Sequence, residues 1–352
     1  MFGSYLSNRK QRVVLNGAFS KYSSIESGVP QGSVLGPLLF LVYINDLECD
    51  IKSQIKFFAD DTMLFSVVSN PEISASNLNH DLDIIQKWAH QWKMEFNPDP
   101  TKQATELLFS CKNNSPNHPP LYFNGAVVAK VNDHKHLGLV LDSKLSFEKH
   151  INEKITKAKK NIGLLRHLSS FIPIQSLDQI CKTMVRAHLD YCDFIYHAPP
   201  LYHQPPLGFS LNCLMVKVEK VQYEAALAIT GAWKGSSRSK LYDELGWESL
   251  SDRRLCSRVK QIFKIANNLT PDYLAYKLPS HSRPLYDGGI RNSFRELICK
   301  SNRNKNSFFP DAIHFWSSII NHFENMPSLV ALRKHLNVLA SSSRTYEYFR
   351  YS

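Results

Sequence analysis

The chain of 352 residues carries 42 lysines and arginines against 31 aspartates and glutamates, and its net charge of +11 suits a polyanionic partner without requiring one. Hydrophobic residues make up 43% and charged residues 21%, proportions that exclude a chain disordered throughout and allow two or three domains. The seven cysteines contain no Cys-x-x-Cys pair, which argues against a disulfide framework or a zinc site.

Targeting and membrane signals are also missing from the sequence. The amino terminus lacks the apolar core of a secretory signal. The longest apolar run, residues 34–44, is interrupted by Gly36 and Pro37 and is too short to span a bilayer. We therefore expect an intracellular protein of the cytoplasm or nucleus, not secreted and without a membrane partner, whose oligomeric state the sequence leaves open.

The first predicted elements are a strand at residues 11–16, leading into a turn, and a return segment at residues 23–26. Residues 27–37 follow with two clusters of glycine and proline, which force a special backbone path. Pro37 suits the first position of a helix. Because residues 38–44 are apolar on nearly every side, they predict a buried helix that ends near residue 45.

Two adjacent acids, Asp60 and Asp61, stand between apolar runs at residues 55–58 and 63–68. Such runs around a short break are typical of a β-hairpin. Side by side at the tip of a hairpin, two carboxylates suit a hard divalent cation bound through oxygen. The same pair is also ordinary turn chemistry, so the local pattern leaves both interpretations open.

A long helix is predicted to begin at Asn70 and Pro71, because asparagine caps a helix and proline fits its first position. Apolar residues recur along it at three- and four-residue spacing and form one stripe. That stripe consists of Leu78, Leu82, Ile85, Trp88 and Trp92. A strand is expected at residues 105–110, and Asn124 with Gly125 predicts a second hairpin turn.

From about residue 146 the pattern becomes helical. The helix predicted at residues 147–168 has an apolar stripe and, beside it, Lys154, Lys157 and Lys160. This cationic flank is either a solvated face or a surface for the backbone of a nucleic acid. Further helices are predicted at residues 177–189, 215–230 and 251–268, with a proline-rich linker at residues 199–206.

Several of these segments resemble, in their order and spacing, the motifs of one enzyme family. They are residues 27–37 continuing to 43–47, residues 58–61, residues 96–97 with Lys102, residues 134–139, and residues 226–232 and 242–246. Together they resemble the reverse transcriptases of non-LTR (LINE-type) retrotransposons, specifically jockey-like elements. In that comparison residues 27–37 are similar to the second palm motif, residues 58–61 to the metal-binding motif and residues 134–139 to the hairpin that grips the primer.

The resemblance implies an α+β fold. Residues 1–145 would form a partial polymerase palm, with an antiparallel sheet and helices, and residues 146–198 a helical thumb. Residues 199–352 would form a mainly helical C-terminal region to which no role is assigned.

The resemblance also implies an RNA-directed DNA polymerase, a nucleotidyltransferase that uses two Mg²⁺ ions to add dNTPs to a DNA primer on an RNA template. Asp60 and Asp61 would be the catalytic metal ligands, and Lys102 would neutralise or protonate the leaving pyrophosphate. The other implied site residues are Gly28, Pro30, Gln31 and Gly32 for positioning template and nucleotide, His136, Leu137 and Gly138 for the primer grip, and Lys154, Lys157 and Lys160 for the backbone of the RNA–DNA hybrid.

One carboxylate of the family pattern has no counterpart. In the family, another aspartate lies upstream of the second palm motif and ligates both metals, whereas residues 1–25 contain no Asp or Glu. We therefore expect an N-terminally truncated fragment that lacks this aspartate and the fingers and is inactive by itself. The alternative is a catalytically inert remnant that acts at most as a basic nucleic-acid-binding module.

Overall fold

The computed structural model describes residues 2–25, 27–97, 104–110, 117–196, 211–279, 294, 297–299 and 307–319. The chain divides into two compact units, Met1–Asn132 and Asp133–Ser352. Helices alternate with small, mostly antiparallel pairs of strands, which confirms the predicted α+β class. Within the described ranges, no helix combines the length and the apolar character that a bilayer crossing requires. The predicted linker at residues 199–206 lies outside them.

Within its described residues, the first unit is built from three helices and short strands. Its elements are α1 (Phe2–Leu6), β1 (Lys10–Gln11), β2 (Val14–Leu15), β3 (Ala18–Phe19), β4 (Ser23–Ser24), α2 (Leu35–Ile44), β5 (Gln54–Phe58), β6 (Asp61–Phe65), α3 (Pro71–Gln91), β7 (Thr105–Glu106), β8 (Tyr122–Phe123), β9 (Ala126–Val127) and β10 (Ala129–Lys130). The strands pair as β1–β4, β2–β3, β5–β6 and β8–β9, all antiparallel, and as β7–β10 in parallel.

Two Asn-Gly turns close hairpins in this unit. The turn between β2 and β3 has left-handed φ angles at Asn16 (49°) and Gly17 (82°), and the turn between β8 and β9 has them at Asn124 (52°) and Gly125 (76°). Positive φ at both central residues matches the twist of the flanking strands. The predicted hairpin at residues 124–125 is thus confirmed, whereas the strand expected at residues 105–110 is limited to the two residues of β7.

Helix α2 is much less buried than its apolar sequence predicted. It begins at Leu35, so Pro37 is its third residue, and its buried residues are Gly36 and Ile44. Leu38 and Leu41 are each 54% exposed, and Val42 is 69% exposed. The expectation of burial on nearly every side is therefore wrong. Apolar composition shows that a face can be buried, but not that the chain supplies a cover for it.

Helix α3 packs one side of the first unit's core. Ile85 and Trp88 of the predicted stripe are buried against strands β5 and β8, whereas Trp92 is 42% exposed. The side chain of Asn70 caps the helix by accepting hydrogen bonds from two backbone N–H groups of the first turn. Asp81, fully buried, accepts from the backbone N–H groups of residues 52 and 53, just before β5. Burial alone would raise the pKa of Asp81, but these bonds hold it below its usual value.

The second unit is mostly helical. Its elements are β11 (Asp133–His136), β12 (Leu139–Asp142), α4 (Glu148–Leu168), α5 (Ile174–Ile180), a π-helical segment (Cys181–Arg186), α6 (Ala187–Asp190), α7 (Asp193–Tyr196), α8 (Leu211–Thr230), α9 (Arg238–Leu245), α10 (Leu250–Ala266), α11 (Asp272–Ala275) and α12 (Phe308–Ile319). Helix α4 carries the predicted stripe: Ile151, Ala158, Ile162 and Leu165 are each at most 2% exposed and pack with α8.

Asp142 at the end of β12 binds the backbone of the loop that leads into α4. Its carboxylate accepts hydrogen bonds from the backbone N–H groups of Lys144, Ser146 and Phe147. Burial would raise the pKa of Asp142, but these bonds and the Ser146 hydroxyl lower it below its usual value. Phe147, which precedes the helix, has a left-handed φ of 58° and no capping side chain. Asp142 binds the backbone just before the helix, and the Ser146 hydroxyl accepts from the N–H of Glu148, the first helical residue.

The helix predicted at residues 177–189 contains a wider turn that the sequence did not reveal. It begins as α5, becomes π-helical over Cys181–Arg186 and continues as α6. Asn161 of α4 donates a hydrogen bond of 2.6 Å to the carbonyl of Met184 inside the π segment. A side chain from a neighbouring helix therefore satisfies a carbonyl where the α pattern is interrupted.

A second, smaller core lies between α10 and α12. Ser249 caps α10 by accepting from the N–H of Asp252. Arg258 of α10 donates to the carboxylate of Asp311 of α12, and both side chains are buried. Because a buried charge is costly unless paired, this contact fixes the two helices against each other.

Candidate active site

The two acids identified in the sequence lie at the tip of a well-paired hairpin. Strands β5 and β6 form five cross-strand pairs, ending with Phe58 opposite Asp61. Ala59 and Asp60 form the two-residue turn, and Ala59 has a left-handed φ of 52°. The predicted hairpin is therefore confirmed, with Asp60 in the turn and Asp61 as the first residue of the returning strand.

The base of this hairpin is fixed whereas its tip is open. Ile55 of β5 is 8% exposed and packs in the core beside α3, but Asp60 and Asp61 are exposed. In the part of the chain that the structure describes, neither carboxylate forms a hydrogen bond or ion pair. The two acids are thus held on a rigid support with their oxygen atoms available.

This arrangement fits one part of a magnesium site. Mg²⁺ is held by one or two carboxylates together with water and substrate phosphates, and Asp60 and Asp61 offer donors of that kind. Among the described residues, however, no three acids, histidines or cysteines come together as a metal-binding group. The pair therefore fits an ion that takes further ligands from elsewhere.

The segment expected to position template and nucleotide forms an irregular turn before α2. Gly28 and Gly32 have left-handed φ angles of 79° and 77°, which favour glycine at both positions. The carbonyl of Pro30 accepts a hydrogen bond from the hydroxyl of Ser33, and Gln31 is exposed. The structure thus explains the two glycines by backbone conformation.

Lys102, the candidate partner of the leaving pyrophosphate, lies outside the described residues. Asp60 and Asp61 belong to the first unit, as does the segment with Gly28 and Gly32, whereas the candidate primer grip and the lysines of α4 belong to the second.

The candidate primer grip forms a hairpin in the second unit. Strands β11 and β12 pair from Asp133 opposite Asp142 to His136 opposite Leu139. Leu137 and Gly138 form the turn, with left-handed φ angles of 46° and 80°. Tyr191 donates its hydroxyl hydrogen to the carbonyl of Leu137, so the turn is held from outside the hairpin.

The predicted cationic flank of α4 is present beside this turn. Lys157 and Lys160 are exposed, whereas Lys154 is half-buried with its Nζ 4.4 Å from the centre of the Tyr191 ring. Burial, followed by the charges of Lys157 and Lys135, lowers the pKa of Lys154 below its usual value. A cluster of positive charge thus extends from α4 to β11.

Sequence reasoning missed two residues at this cluster. Tyr191 lies just beyond the predicted helix at residues 177–189, and no local signal connects it to residue 137. His150 is 1% exposed and accepts a hydrogen bond at Nδ1 from the N–H of Val140. The only sequence signal for the role of His150 was its position next to Ile151 in the buried stripe of α4.

Comparisons with known proteins place part of this chain in a family. Residues 2–141 match the family described as reverse transcriptase (RNA-dependent DNA polymerase). Residues 2–141 are therefore a reverse transcriptase segment, similar to those of jockey-like non-LTR retrotransposons. The resemblance inferred from the motifs is confirmed.

Individual relatives from fruit flies extend the similarity beyond that segment. The RNA-directed DNA polymerase from mobile element jockey of Drosophila melanogaster is 27% identical over 285 residues, 78% of this chain and 29% of the relative. Its counterpart from Drosophila funebris is 28% identical over 242 residues, 65% of this chain and 24% of the relative. The probable RNA-directed DNA polymerase from transposon X-element of D. melanogaster is 31% identical over 165 residues, 46% of this chain and 18% of the relative. The chain thus spans less than a third of the length of these relatives.

Proposed function

We propose that this chain forms the palm and thumb of an RNA-directed DNA polymerase that copies the RNA of a mobile element. The observation that carries the proposal is the pair of exposed carboxylates, Asp60 and Asp61, on a rigid hairpin within the segment that matches the reverse transcriptase family. In this proposal the palm extends to residue 145 and the thumb occupies residues 146–198.

The chain's residues would divide the work of nucleotidyl transfer. Asp60 and Asp61 would hold Mg²⁺, which when bound favours attack by the primer hydroxyl and stabilises the charge on the phosphate. Lys102 would supply a positive charge or a proton to the departing pyrophosphate. The turn around Gly28 and Gly32 would let backbone approach the template and the incoming dNTP without obstruction by side chains.

The cationic flank of α4 would contact the phosphate backbone of the RNA–DNA hybrid. Such contacts hold the duplex without reading its sequence, and each one steepens the dependence of affinity on salt. A variant with Lys154, Lys157 and Lys160 all changed to alanine should bind hybrid more weakly, with a salt slope lower by roughly two to three units. Equal binding by parent and variant at every salt concentration would contradict this role.

Primer extension tests the catalytic assignment. We expect no extension by the purified chain, because Asp60 and Asp61 have no third ligand among the described residues. The same chain should extend a primer when it replaces the matching segment of the D. melanogaster jockey polymerase.

In that chimaera, Asp60→Asn should reduce the rate by roughly 10²-fold or more, because the variant lacks one of the carboxylates that would hold Mg²⁺ beside the reacting phosphate. Asp50→Asn is the matched control, since Asp50 is an exposed aspartate of the same unit outside the hairpin. Hybrid binding shows that each chimaera is folded. Equal extension rates for the Asp60→Asn chimaera and its parent would refute the assignment.

A further inference from the structure

Tyr191 connects two parts of the candidate nucleic-acid surface that are distant in the sequence. It stands between α6 and α7 with an extended backbone (φ −68°, ψ 118°). Its carbonyl accepts a hydrogen bond of 3.1 Å from the hydroxyl of Tyr196, which is 3% exposed. The core of the second unit therefore fixes the backbone from which the Tyr191 ring projects.

The hydroxyl end of Tyr191 supports the turn of the β11–β12 hairpin. It donates to the carbonyl of Leu137, a non-glycine residue in the left-handed region. It also lies so close to Gly138 that a Cβ atom there would be 2.9 Å from the tyrosine oxygen. The turn therefore has a glycine where the tyrosine approaches its backbone, and the hydrogen bond holds the neighbouring strained residue.

The face of the same ring supports a lysine. Nζ of Lys154 lies 4.4 Å from the ring centre, a distance at which an ammonium is attracted by the electrons of an aromatic face. In the described part of the chain no carboxylate lies within ion-pair distance of this ammonium, although Glu153 is its sequence neighbour. Burial lowers the pKa of Lys154 below its usual value. The positive charges of Lys157 of α4 and Lys135 of β11 lie nearby and lower it further.

We propose that Tyr191 is a positioning residue, which holds the β11–β12 turn and the Lys154 ammonium together so that both contact the same stretch of phosphate backbone in a bound RNA–DNA hybrid. This inference rests on the proposed function. A bound phosphate relieves the repulsion among the clustered ammonium groups. When no phosphate is bound, the tyrosine keeps Lys154 from turning away into solvent. Lys154 and Tyr191 therefore contribute to binding together, whereas Lys160, which is exposed further along α4, contributes independently.

Binding of a labelled RNA–DNA hybrid, measured by fluorescence anisotropy over a range of salt concentrations, tests this coupling. Lys154→Met should weaken binding about tenfold and lower the salt slope by about one unit, because one charged contact is lost. Tyr191→Leu should produce the same two changes although it removes no charge. The double variant should bind about as well as either single variant, since two residues acting as one unit are not additive.

Two comparisons separate this role from a general loss of structure. Lys160→Met should weaken binding by the same factor in the parent and in Tyr191→Leu, whereas a disturbed helix α4 would alter its effect. Tyr122→Leu, which changes an exposed tyrosine of the other unit, should leave affinity unchanged. Tyr191→Phe keeps the ring beside the Lys154 ammonium but loses the hydrogen bond to Leu137, so it should retain most of the salt slope and bind more weakly than the parent. If Tyr191→Leu does not fold, this variant tests the support of the turn, and affinity equal to the parent's would overturn the inference.

The possible failures are distinguishable. A parent chain that does not bind hybrid would overturn the nucleic-acid surface of the proposed function and this inference with it. Normal binding by the parent with additive effects of Lys154→Met and Tyr191→Leu would overturn the inference alone. An unchanged salt slope in Tyr191→Leu would do the same.

Discussion

The buried histidine of α4 makes the stability of the second unit depend on pH in a way that can be calculated. Burial of His150, followed by the charges of Lys154, Lys135 and Lys157, lowers its pKa to about 4. Its Nδ1 accepts the N–H of Val140, which also requires the neutral ring. The folded chain therefore resists protonation of this side chain.

The sign of the effect follows from the two pKa values. Between pH 6.5 and pH 4 the unfolded chain binds a proton at His150 that the folded chain does not bind, so stability is lost as the pH falls through this window. At pH 5.0 the loss relative to pH 7.5 is about 2 kcal/mol, since each unit of pKa corresponds to about 1.4 kcal/mol.

Asp193 works in the opposite direction. Burial, followed by the charge of Asp190, raises the pKa of Asp193 to about 7, so its folded form takes up a proton before its unfolded form does. This group stabilises the folded chain by roughly 2–3 kcal/mol more at pH 5.0 than at pH 7.5. The contributions of His150 and Asp193 nearly cancel each other, so each of them shows only when the other titrating group is removed.

Urea unfolding of variants at pH 7.5 and 5.0, followed by circular dichroism, separates the two groups. His150→Asn keeps an acceptor near the position of Nδ1 but cannot titrate, so from pH 7.5 to pH 5.0 its stability should change by about 2 kcal/mol more favourably than that of the parent. Over the same range, the stability of Asp193→Asn should change by roughly 2–3 kcal/mol less favourably than that of the parent. An NMR titration that gives His150 a pKa near 6.5, or identical pH dependence in His150→Asn and parent, would refute the reasoning.

Substitutions at three further places test individual contacts by their effect on the free energy of unfolding in urea: the two glycine turns, the cap of α3 and the buried ion pair. Gly125→Ala should cost roughly 1–2 kcal/mol of stability, because alanine is strained at φ 76°. Gly138→Ala should cost about 1–3 kcal/mol more than that, because only at residue 138 does the added methyl group meet a tyrosine hydroxyl. Equal costs at the two turns would contradict that packing. Asn70→Ala should cost about 1 kcal/mol through loss of the α3 cap, and Asn70→Ser should recover most of it. Arg258→Met should cost roughly 3–5 kcal/mol of stability, because it leaves Asp311 buried without its cation. Adding Asp311→Leu to this variant should restore most of the stability. If the double variant does not recover it, loss of the ion pair is not the cause.

The elements predicted correctly from sequence are those with local signals. The β5–β6 hairpin follows from two apolar runs around a short break, and the start of α3 from Asn70 and Pro71. The stripe on α4 follows from helical spacing alone. In each case the residues that decide the structure lie within a few positions of one another, so no knowledge of the rest of the fold was needed.

The features that sequence could not supply depend on distant partners. The exposure of Leu38 and Val42 depends on what packs over α2, which their own apolar character does not specify. Tyr191 is 54 residues from Leu137, whose carbonyl it contacts. For the candidate site, the exposed Asp60 and Asp61 pair could be predicted, whereas the connection between the turn at Gly138 and Lys154 could not.

The π-helical segment in the second unit has a consequence for how related sequences are aligned. A π turn contains one residue more than the α turn it replaces, so deleting one residue from Cys181–Arg186 would restore regular α geometry. The residues after the deletion would keep their faces, because the wide turn takes up the extra residue, whereas a deletion from a regular α turn would rotate them by about 100° around the helix axis. Leu189, now 2% exposed, would stay in the core, and Tyr191 would still face the hairpin. A single-residue gap at the π-helical segment is therefore compatible with the contact between the tyrosine and the turn, whereas a gap elsewhere in this helix is not.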